Sequence, residues 1–294
     1  MTDFANIPAH SGHTVVAGIM GWPVAHSQSP RLHAYWLAHH GVDGAYIPLP
    51  VMPDRLPDAI RGLRAFGFRG ANVTIPFKEA VIPLIDDLTP VARQIGAVNT
   101  LIIDADGKIT GTNTDSPGFL DNLRDGAPQW QSGRPAAVLG AGGAARAVCA
   151  ALLGAGVPEV RLFNRTFEKA ETLAAHFRPH YAAPIRPLPL EPKVWEGSLA
   201  DVGVVVNTTA LGMTGHPPIA LDLGAIPDDA VVVDIVYNPL RTPFLAAAEA
   251  RGLATVDGLG MLLFQARAGF RQWFGEMPEV TADLRDFVRH AMGA

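Results

Sequence analysis

The sequence predicts an α/β protein with two units, and three observations lead to this fold class. Short apolar runs of strand length alternate with helical patterns, an order that favours parallel strands joined by crossover helices. A glycine-rich turn at residues 140–145 follows an apolar run and opens a helix, as in Rossmann-type folds. A polar, glycine-containing stretch at 130–134 separates this unit from the first. We expect an N-terminal α/β domain with a mostly parallel sheet, a C-terminal Rossmann-type doubly wound domain, and a cleft between them.

The first unit contains apolar runs that predict strands at 15–19, 45–49, 71–75 and 98–103. Helical patterns lie between them and predict helices at 30–40, 53–66 and 77–85. A hairpin-like return through Asp106-Gly107 leads from the last of these strands towards residues 111–115.

The second unit has strand-like runs at 136–139, 159–164, 202–207 and 231–237. Helices are predicted at 144–153, 166–177 and 243–251, and the proline-rich stretch 181–195 is interpreted as an irregular surface connection. Final helices are predicted at 259–274 and 280–292, and we expect one of them to return to the first unit. The predicted divisions are a substrate-binding and catalytic domain at 1–115, a nucleotide-binding domain at 116–258, and C-terminal helices at 259–294.

The composition narrows the classes of function. With 294 residues, 48% of them hydrophobic and 17% charged, the chain can bury one or two ordinary cores. Its 23 basic and 28 acidic residues give no electrostatic footprint for nucleic acid or an anionic membrane, so we expect a small-molecule ligand. The single cysteine, Cys149, forms no internal disulfide and is interpreted as a small core residue in a reducing, cytoplasmic compartment.

Two segments bear on targeting and membranes. Residues 1–13 lack both a basic head and an apolar stretch, so no secretory signal is predicted. The apolar segment 136–157 approaches the length of a membrane helix, but its glycines favour a strand followed by a turn and a helix.

The glycine turn predicts a dinucleotide site. Gly140 permits the tight turn, Gly142 lets the backbone approach a pyrophosphate, and a small third position lets helix and strand pack closely. The phosphates would lie on the helix N-terminus, against residues 140–144 (Gly140, Ala141, Gly142, Gly143 and Ala144). The alternative is a glycine-rich turn that binds no ligand.

The following strand indicates NADP over NAD. An NAD enzyme usually places a carboxylate about 20 residues after the turn, whereas this strand ends in Asn164, Arg165 and Thr166. Arg165, with Lys169 one helical turn later, suits a 2'-phosphate, because a guanidinium matches phosphate oxygens and a carboxylate would repel them. The alternative is a solvated basic helix start.

Four polar stretches of the first unit predict a pocket. Ser27 and Ser29 precede a helix that Pro30 opens, so Ser29 is interpreted as an N-cap, and both hydroxyls suit a carboxylate ligand. The other three stretches carry amide, hydroxyl, ammonium or carboxylate groups at strand ends: Asn72, Thr74 and Lys78; Asn99; and Asp115. Such a set favours a polyhydroxylated ligand.

These segments resemble the signatures of the shikimate dehydrogenase family from about Val15 to the C-terminus. The matching stretches are GWPVAHSQSP (21–30), GANVTIPFK (70–78), GAVNT (96–100), NTD (113–115), GAGGAA (140–145), NRT (164–166), NTT (207–209), DIVYNP (234–239) and DGLGMLLFQA (257–266). The resemblance implies NADPH-dependent reduction of 3-dehydroshikimate to shikimate, a step of chorismate and aromatic amino-acid biosynthesis.

The resemblance also implies residue roles. Ser27 and Ser29 would hold the substrate carboxylate, and Lys78 would act at the reacting oxygen. The ring hydroxyls would be held by Asn72, Thr74, Asn99, Asp115 and Gln265. Tyr237 would lie near the substrate, Gly258 near the nicotinamide, and Thr208 and Met261 on the cofactor side.

Hydride transfer to a carbonyl carbon leaves negative charge on oxygen, which a proton donor must meet. Our hypothesis is that Lys78 donates this proton and Asp115 orients it; the alternative is a purely structural ion pair. The scheme requires no metal, and the histidines show no ligand spacing.

Three other functions stay open: a quinate/shikimate dehydrogenase, an aminoshikimate dehydrogenase, and a ligand-sensing module without turnover. We expect a monomer or homodimer.

Overall fold

Two six-stranded sheets organise the protein, as seen in a computed structural model that describes residues 10–292. Most of the N-terminal segment interpreted as lacking a secretory signal, residues 1–9, lies outside the described residues. The predicted class is confirmed: both sheets are mostly parallel and carry helices between their strands. Where the chain divides into domains stays a prediction.

The first sheet has the order β2-β1-β3-β5-β6-β4. Its strands are β1 (Val15–Gly21), β2 (Gly44–Pro50), β3 (Gly70–Val73), β4 (Asp87–Leu88), β5 (Thr100–Ile103) and β6 (Ile109–Thr112), with helices α1 (Ser29–His39), α2 (Leu56–Ala65) and α3 (Pro90–Ile95). β1 pairs in parallel with β2 and β3, whereas β5 runs antiparallel to β3 and β6. Because β5 is reversed, its first residues lie at the same edge as the last residues of β3.

The prediction of a helix at 77–85 is wrong. The segment forms turns and a short 3-10 helix, Ile82–Leu84. Pro83 explains the difference, since it donates no hydrogen bond and its ring would clash with the preceding helical turn. The predicted helix 53–66 is divided into a 3-10 turn, Pro53–Arg55, and α2. The sequence patterns missed α3, which Thr89 caps and the left-handed Gly96 ends, because six residues are too few for a visible period.

The second sheet has the order β12-β11-β10-β7-β8-β9, with every pair parallel. Its strands are β7 (Ala136–Leu139), β8 (Val160–Asn164), β9 (Ile185–Pro189), β10 (Val204–Asn207), β11 (Val231–Asp234) and β12 (Ala254–Val256), with helices α5 (Gly143–Gly154), α6 (Phe167–Phe177), α7 (Pro192–Glu196) and α8 (Pro243–Ala250). This is the Rossmann order, in which ligands bind where the strand order reverses, between β7 and β10.

The interpretation of 181–195 as an irregular connection is wrong, because this stretch contains β9 and the start of α7. β9 is an edge strand beside β8 alone. Prolines are tolerated on an edge strand, where a missing N–H breaks no second ladder. The prolines at 187 and 189 therefore led to the prediction of an irregular connection where the chain forms a strand.

The described residues contain three further helices: α4 (Asp115–Gly126), α9 (Leu259–Phe274) and α10 (Ala282–Ala291). α4, which the patterns did not predict, approaches α9 so closely that a Cβ on Gly118 would lie 2.6 Å from the Cβ of Gln265. At the other end of α9, Trp273 Nε1 donates to the Leu101 carbonyl of the first sheet at 2.9 Å. α9 thus holds Gln265 against the start of α4.

Within residues 10–292, no helix is long and apolar enough to cross a membrane. The apolar segment 136–157 is divided, as predicted, into β7, a glycine turn and α5. Cys149 is fully buried in the core beneath α5, and burial raises its pKa to about 12, which confirms its interpretation as a core residue.

His33 of α1 is a fully buried histidine. Its ring stacks on Tyr46 with centroids 3.7 Å apart, and its Nδ1 lies 2.9 Å from the Ser29 carbonyl. Since a carbonyl only accepts, Nδ1 carries the proton. Burial lowers the His33 pKa to about 3.

This burial predicts acid sensitivity. As pH falls below about 6.5, the unfolded chain takes up a proton at His33 that the folded chain refuses until about 3. The contribution of His33 to stability is complete above pH 6.5 and is lost as pH falls towards 3. In this window, we expect the free energy of unfolding to fall more steeply with falling pH in wild type than in His33→Phe, by about 1.4 kcal/mol per pH unit. Urea denaturation measures this difference. The exposed His40→Phe is the control, and parallel curves for wild type and His33→Phe would contradict the prediction.

Candidate active site

The polar residues predicted at strand ends meet along one edge of the first sheet. β3 ends there with Val73, the antiparallel β5 begins there with Thr100, and β6 ends there with Thr112. The register pairs Asn72 with Thr100 and Thr100 with Thr112. Side chains that are far apart in sequence therefore share one small volume.

Lys78 and Asp115 form an ion pair at this edge. Lys78 Nζ lies 2.6 Å from Asp115 Oδ2, and the two side chains are 16% and 8% exposed. Asp115 is the first residue of α4, where the positive end of the helix dipole favours a carboxylate. The ammonium is thus held in place while a part of it remains accessible.

Asn99 is the centre of the hydrogen-bond network. Its Oδ1 accepts from the Thr114 backbone N–H at 2.8 Å and from the Thr100 hydroxyl at 3.0 Å. Its Nδ2 lies 2.8 Å from Asp115 Oδ1 and 3.2 Å from Gln265 Oε1. One buried amide therefore connects β5, α4 and α9, and it leaves Asp115 Oδ2 to Lys78.

Asn72 extends the network towards β2. Its Nδ2 donates to the Asn99 carbonyl and to the Thr100 hydroxyl, both at 3.1 Å, and its Oδ1 accepts from the Tyr46 hydroxyl at 2.5 Å. Tyr46 is buried, which raises its pKa well above the ordinary value for tyrosine, and the Ser29 hydroxyl acts in the opposite direction. The neutral phenol therefore lies between Ser29 and Asn72.

The two serines lie at the start of α1, but Ser29 is not its N-cap. Ser29 is the first residue of the helix, Gln28 holds the cap position, and no side chain caps it. The half-buried Ser27 accepts from the Ser29 backbone N–H at 3.2 Å. The prediction failed because Pro30 lies at the second helical position, one residue later than expected.

Two predicted residues lie outside this network. Thr74 follows the end of β3 and is half-buried, with its methyl against Gly21. Tyr237 follows β11 in the second sheet and is half-buried; its phenol lies against the backbone of Gln28. Burial raises the Tyr237 pKa. Tyr237 thereby connects the second sheet to the turn that carries the serines.

The glycine turn lies where the strand order of the second sheet reverses. Gly140 has φ +103°, and a Cβ there would lie 2.7 Å from the Thr208 hydroxyl. That hydroxyl donates to the Leu139 carbonyl at 2.6 Å, so the turn packs against the end of β10. A Cβ on the exposed Gly142 would meet no atom within 4 Å, so a ligand has open access to the backbone at the N-terminus of α5.

Exposed cations follow β8. Arg165 and Lys169 are both exposed, and within residues 10–292 neither forms a salt bridge. Asn164 donates to the Thr166 carbonyl at 2.7 Å and shapes the turn before α6. β8 itself ends in Asn164 and not in a carboxylate, and the two cations that follow it fit a phosphate on the ribose of a dinucleotide.

A buried carboxylate, Asp234, shapes the second sheet near the turn. It accepts from Asn207 Nδ2 at 2.9 Å and from the Thr242 hydroxyl at 2.7 Å. Burial raises its pKa, against the effect of these hydrogen bonds. It thereby fixes the ends of β10 and β11, which precede Thr208 and Tyr237.

The remaining two predicted cofactor residues lie at the start of α9. Gly258 is its N-cap, and a Cβ there would lie 2.2 Å from the Ile235 carbonyl oxygen. Met261 is 7% exposed and packs into the core of the second sheet. Its contact with a cofactor stays a prediction.

Within the part of the chain that the structure describes, no group of three or more His, Cys, Asp or Glu side chains is arranged to hold a metal ion. The edge of the first sheet instead offers an ammonium, a carboxylate, amides and hydroxyls. These groups suit proton transfer to an oxygen and the binding of a hydroxylated ring.

Sequence reasoning missed Tyr46 and His33. Tyr46 lies opposite Ala17, with its ring between α1 and the strand that carries Asn72. The available signal was a tyrosine on a strand otherwise made of apolar residues and prolines, since a buried phenol needs a hydrogen-bond partner.

Three protein-family models each match a segment of the chain. They are described as the shikimate dehydrogenase substrate binding domain, at residues 19–101; shikimate / quinate 5-dehydrogenase, at 127–209; and the shikimate 5'-dehydrogenase C-terminal domain, at 258–285.

Full-length relatives match as well. The chain is 55% identical over 279 residues to shikimate dehydrogenase (NADP(+)) of Paramagnetospirillum magneticum, covering 95% of this chain and 99% of the relative. It is similar to shikimate 5-dehydrogenase of Thermus thermophilus in complex with NADP(H) and shikimate, with a TM-score of 0.82, 37% identity, and coverage of 95% and 100%. It is also similar to quinate dehydrogenase of Corynebacterium glutamicum in complex with NAD, with a TM-score of 0.85, 32% identity, and coverage of 93% and 98%. This similarity over nearly the whole length shows that the chain belongs to the shikimate dehydrogenase family.

Proposed function

We propose that the protein catalyses the reversible, NADPH-dependent reduction of 3-dehydroshikimate to shikimate. The observation that carries this proposal is the partly buried Lys78–Asp115 pair within a network of amides and hydroxyls, beside a Rossmann-type glycine turn. This combination supplies a proton donor, a hydroxyl-binding surface and a dinucleotide site. Shikimate lies on the pathway to chorismate and the aromatic amino acids.

The substrate is assigned to the edge of the first sheet. We assign its carboxylate to Ser27 and Ser29, whose hydroxyls lie at the N-terminus of α1, where the helix dipole favours an anion. The ring hydroxyls are assigned to Asn72, Thr74, Asn99, Asp115 and Gln265. Tyr237 is assigned to the second-sheet side of the substrate, because it contacts the turn that carries the serines.

The residues of the second sheet fit NADP. Open space at Gly142 and the unobstructed start of α5 suit a pyrophosphate, so residues 140–144 would hold it. Arg165 and Lys169, with Asn164 and Thr166 shaping the turn, would hold the 2'-phosphate. Thr208, Gly258 and Met261 are assigned to the nicotinamide side. NADPH supplies the hydride when bound.

In the mechanism, Lys78 donates a proton to the carbonyl oxygen of the substrate as charge develops there. Asp115 Oδ2 holds the Lys78 ammonium at 2.6 Å, and Asn99 holds the second carboxylate oxygen at 2.8 Å. The orientation of the proton donor is therefore set before the substrate binds, which lowers the cost of reaching the transition state. In the reverse direction, Lys78 accepts the proton of the shikimate hydroxyl.

Quinate is the second candidate substrate, since the fold is also that of a quinate dehydrogenase bound to NAD. The pair of basic residues after β8 favours NADP, and with it the shikimate reaction. A monomeric or homodimeric state, a cytoplasmic location, and the domain divisions after residues 115 and 258 stay predictions.

The proposed activity is tested with purified protein, either shikimate or quinate, and either NADP or NAD, by following the absorbance of the reduced nicotinamide. We expect turnover with shikimate and NADP. For every other pair of substrate and nucleotide, kcat/KM should be at least about tenfold lower. A preference for quinate or NAD would move the protein to the alternative dehydrogenase. Binding of shikimate without any turnover would favour the ligand-sensing module.

Lys78→Met tests the proton donor. Loss of a general acid is expected to lower kcat about 10²- to 10⁴-fold with a smaller change in the KM for shikimate. Lys108→Met is the matched control, because Lys108 also pairs with an aspartate, Asp87, but is 52% exposed. An unchanged kcat with only a raised KM, or a loss of stability alone, would support a structural ion pair instead.

Arg165→Ala tests the cofactor preference. A charge-assisted hydrogen bond to phosphate contributes about 1.5–3 kcal/mol, so the KM for NADP is expected to rise about 10- to 100-fold. The KM for NAD should stay unchanged, because NAD lacks the 2'-phosphate. The exposed Arg178→Ala, at the other end of α6, is the control. Equal effects on both nucleotides would contradict the assignment.

A further inference from the structure

Arg146 lies in the first turn of α5 and reaches across to the segment that carries Lys78. Its Nη2 lies 3.1 Å from Glu79 Oε2, and the two side chains are 12% and 50% exposed. Glu79 directly follows Lys78. The nucleotide-binding helix is thus connected by charge to the residue next to the proposed proton donor.

The location of Arg146 is electrostatically unfavourable by itself. A cation near a helix N-terminus faces the positive end of the helix dipole. Within the described residues, Arg146 Nε and Nη1 are buried and have no hydrogen-bond partner. Glu79 is therefore the counter-charge that makes this guanidinium tolerable, and Arg146 in turn holds Glu79.

The same turn of α5 also contacts Lys78 directly. A Cβ on Gly143 would lie 3.2 Å from Lys78 Cβ and 3.3 Å from its Cδ. The aliphatic part of Lys78 therefore rests on the backbone of the first residue of α5. Asp115 holds the other end of the side chain, at Nζ.

A third contact joins the same two regions. His176 of α6 lies with its Nε2 3.0 Å from the Gln94 carbonyl of α3. A Cβ on the neighbouring Gly96 would lie 3.1 Å from Arg146 Nη1. The guanidinium is thus enclosed between the helices of the second sheet and the loops of the first.

We infer that Arg146 and Glu79 are positioning residues for the reaction: the first turn of α5 aligns Lys78, by backbone contact at Gly143 and by the Arg146–Glu79 ion pair. The nucleotide phosphates and the lysine thereby depend on one helical turn, so a displacement of α5 alters both. This inference rests on the proposed function, in which Lys78 is the proton donor.

A double-mutant cycle tests the inference. The variants are Arg146→Met, Glu79→Gln and the double variant, with Arg146→Lys as the conservative rescue. We expect each single variant to lower kcat about tenfold with little change in the KM for shikimate, and the double variant to fall no further. Arg146→Lys should recover part of the loss, because it retains the charge.

The matched control is a second Arg–Glu pair, Arg241 and Glu249, which is 67% and 38% exposed. The same cycle there should leave kcat unchanged. Thermal unfolding of every variant identifies a simple loss of fold. An unchanged kcat in Glu79→Gln, or additive losses in the double variant, would overturn the inference.

A measurement that needs no turnover separates this inference from the proposed function. The chain has only three other lysines, Lys108, Lys169 and Lys193, so ¹³C-dimethylated Lys78 can be assigned by NMR with Lys78→Met. We expect its resonance to shift in Glu79→Gln and in Arg146→Met, but not in Arg241→Met. A shift in a protein that does not turn over shikimate would sustain the positioning and refute the function; an unmoved resonance would refute the positioning.

Discussion

The ion pair between Lys78 and Asp115 is the interaction on which the rest of the site depends. Removing two charges from water is costly, and their mutual attraction compensates only if further hydrogen bonds satisfy the remaining atoms. Asn99 supplies one of these bonds to Asp115, and the start of α4 supplies a favourable dipole. The surrounding amides and hydroxyls hold Asn99 in turn, so they support this charge through one intermediate side chain.

That requirement explains why distant elements converge. Asn99 is held by β5, Asp115 by α4 and Gln265 by α9, and the close approach at Gly118 lets the two helices meet. Tyr46 extends the same network to β2, since its hydroxyl reaches Asn72. The site is therefore a property of the packing between elements.

The nucleotide-binding unit contributes geometry as well as a cofactor site. The reversal of strand order between β7 and β10 places the glycine turn beside Thr208, and the next helical turn lies against Lys78. Tyr237 and Arg146 contact the first unit at separate points. The first turn of α5 thus brings the glycine turn of the second sheet next to the Lys78–Asp115 pair of the first.

The sequence by itself determined the α/β class, four of the six strands of each sheet, the glycine turn and most of the polar residues, because hydrophobic period and glycine placement are local signals. It did not reveal the edge strand β9 or the short helix α3, where prolines or brevity remove the period, and it suggested a helix at 77–85 that Pro83 prevents. Tertiary structure alone decided which polar groups meet. Because β5 runs antiparallel to β3, Asn99 lies beside Asn72, and the packing of α1 on β2 buries His33 and Tyr46. Such contacts join residues far apart in the chain, and no local pattern encodes them.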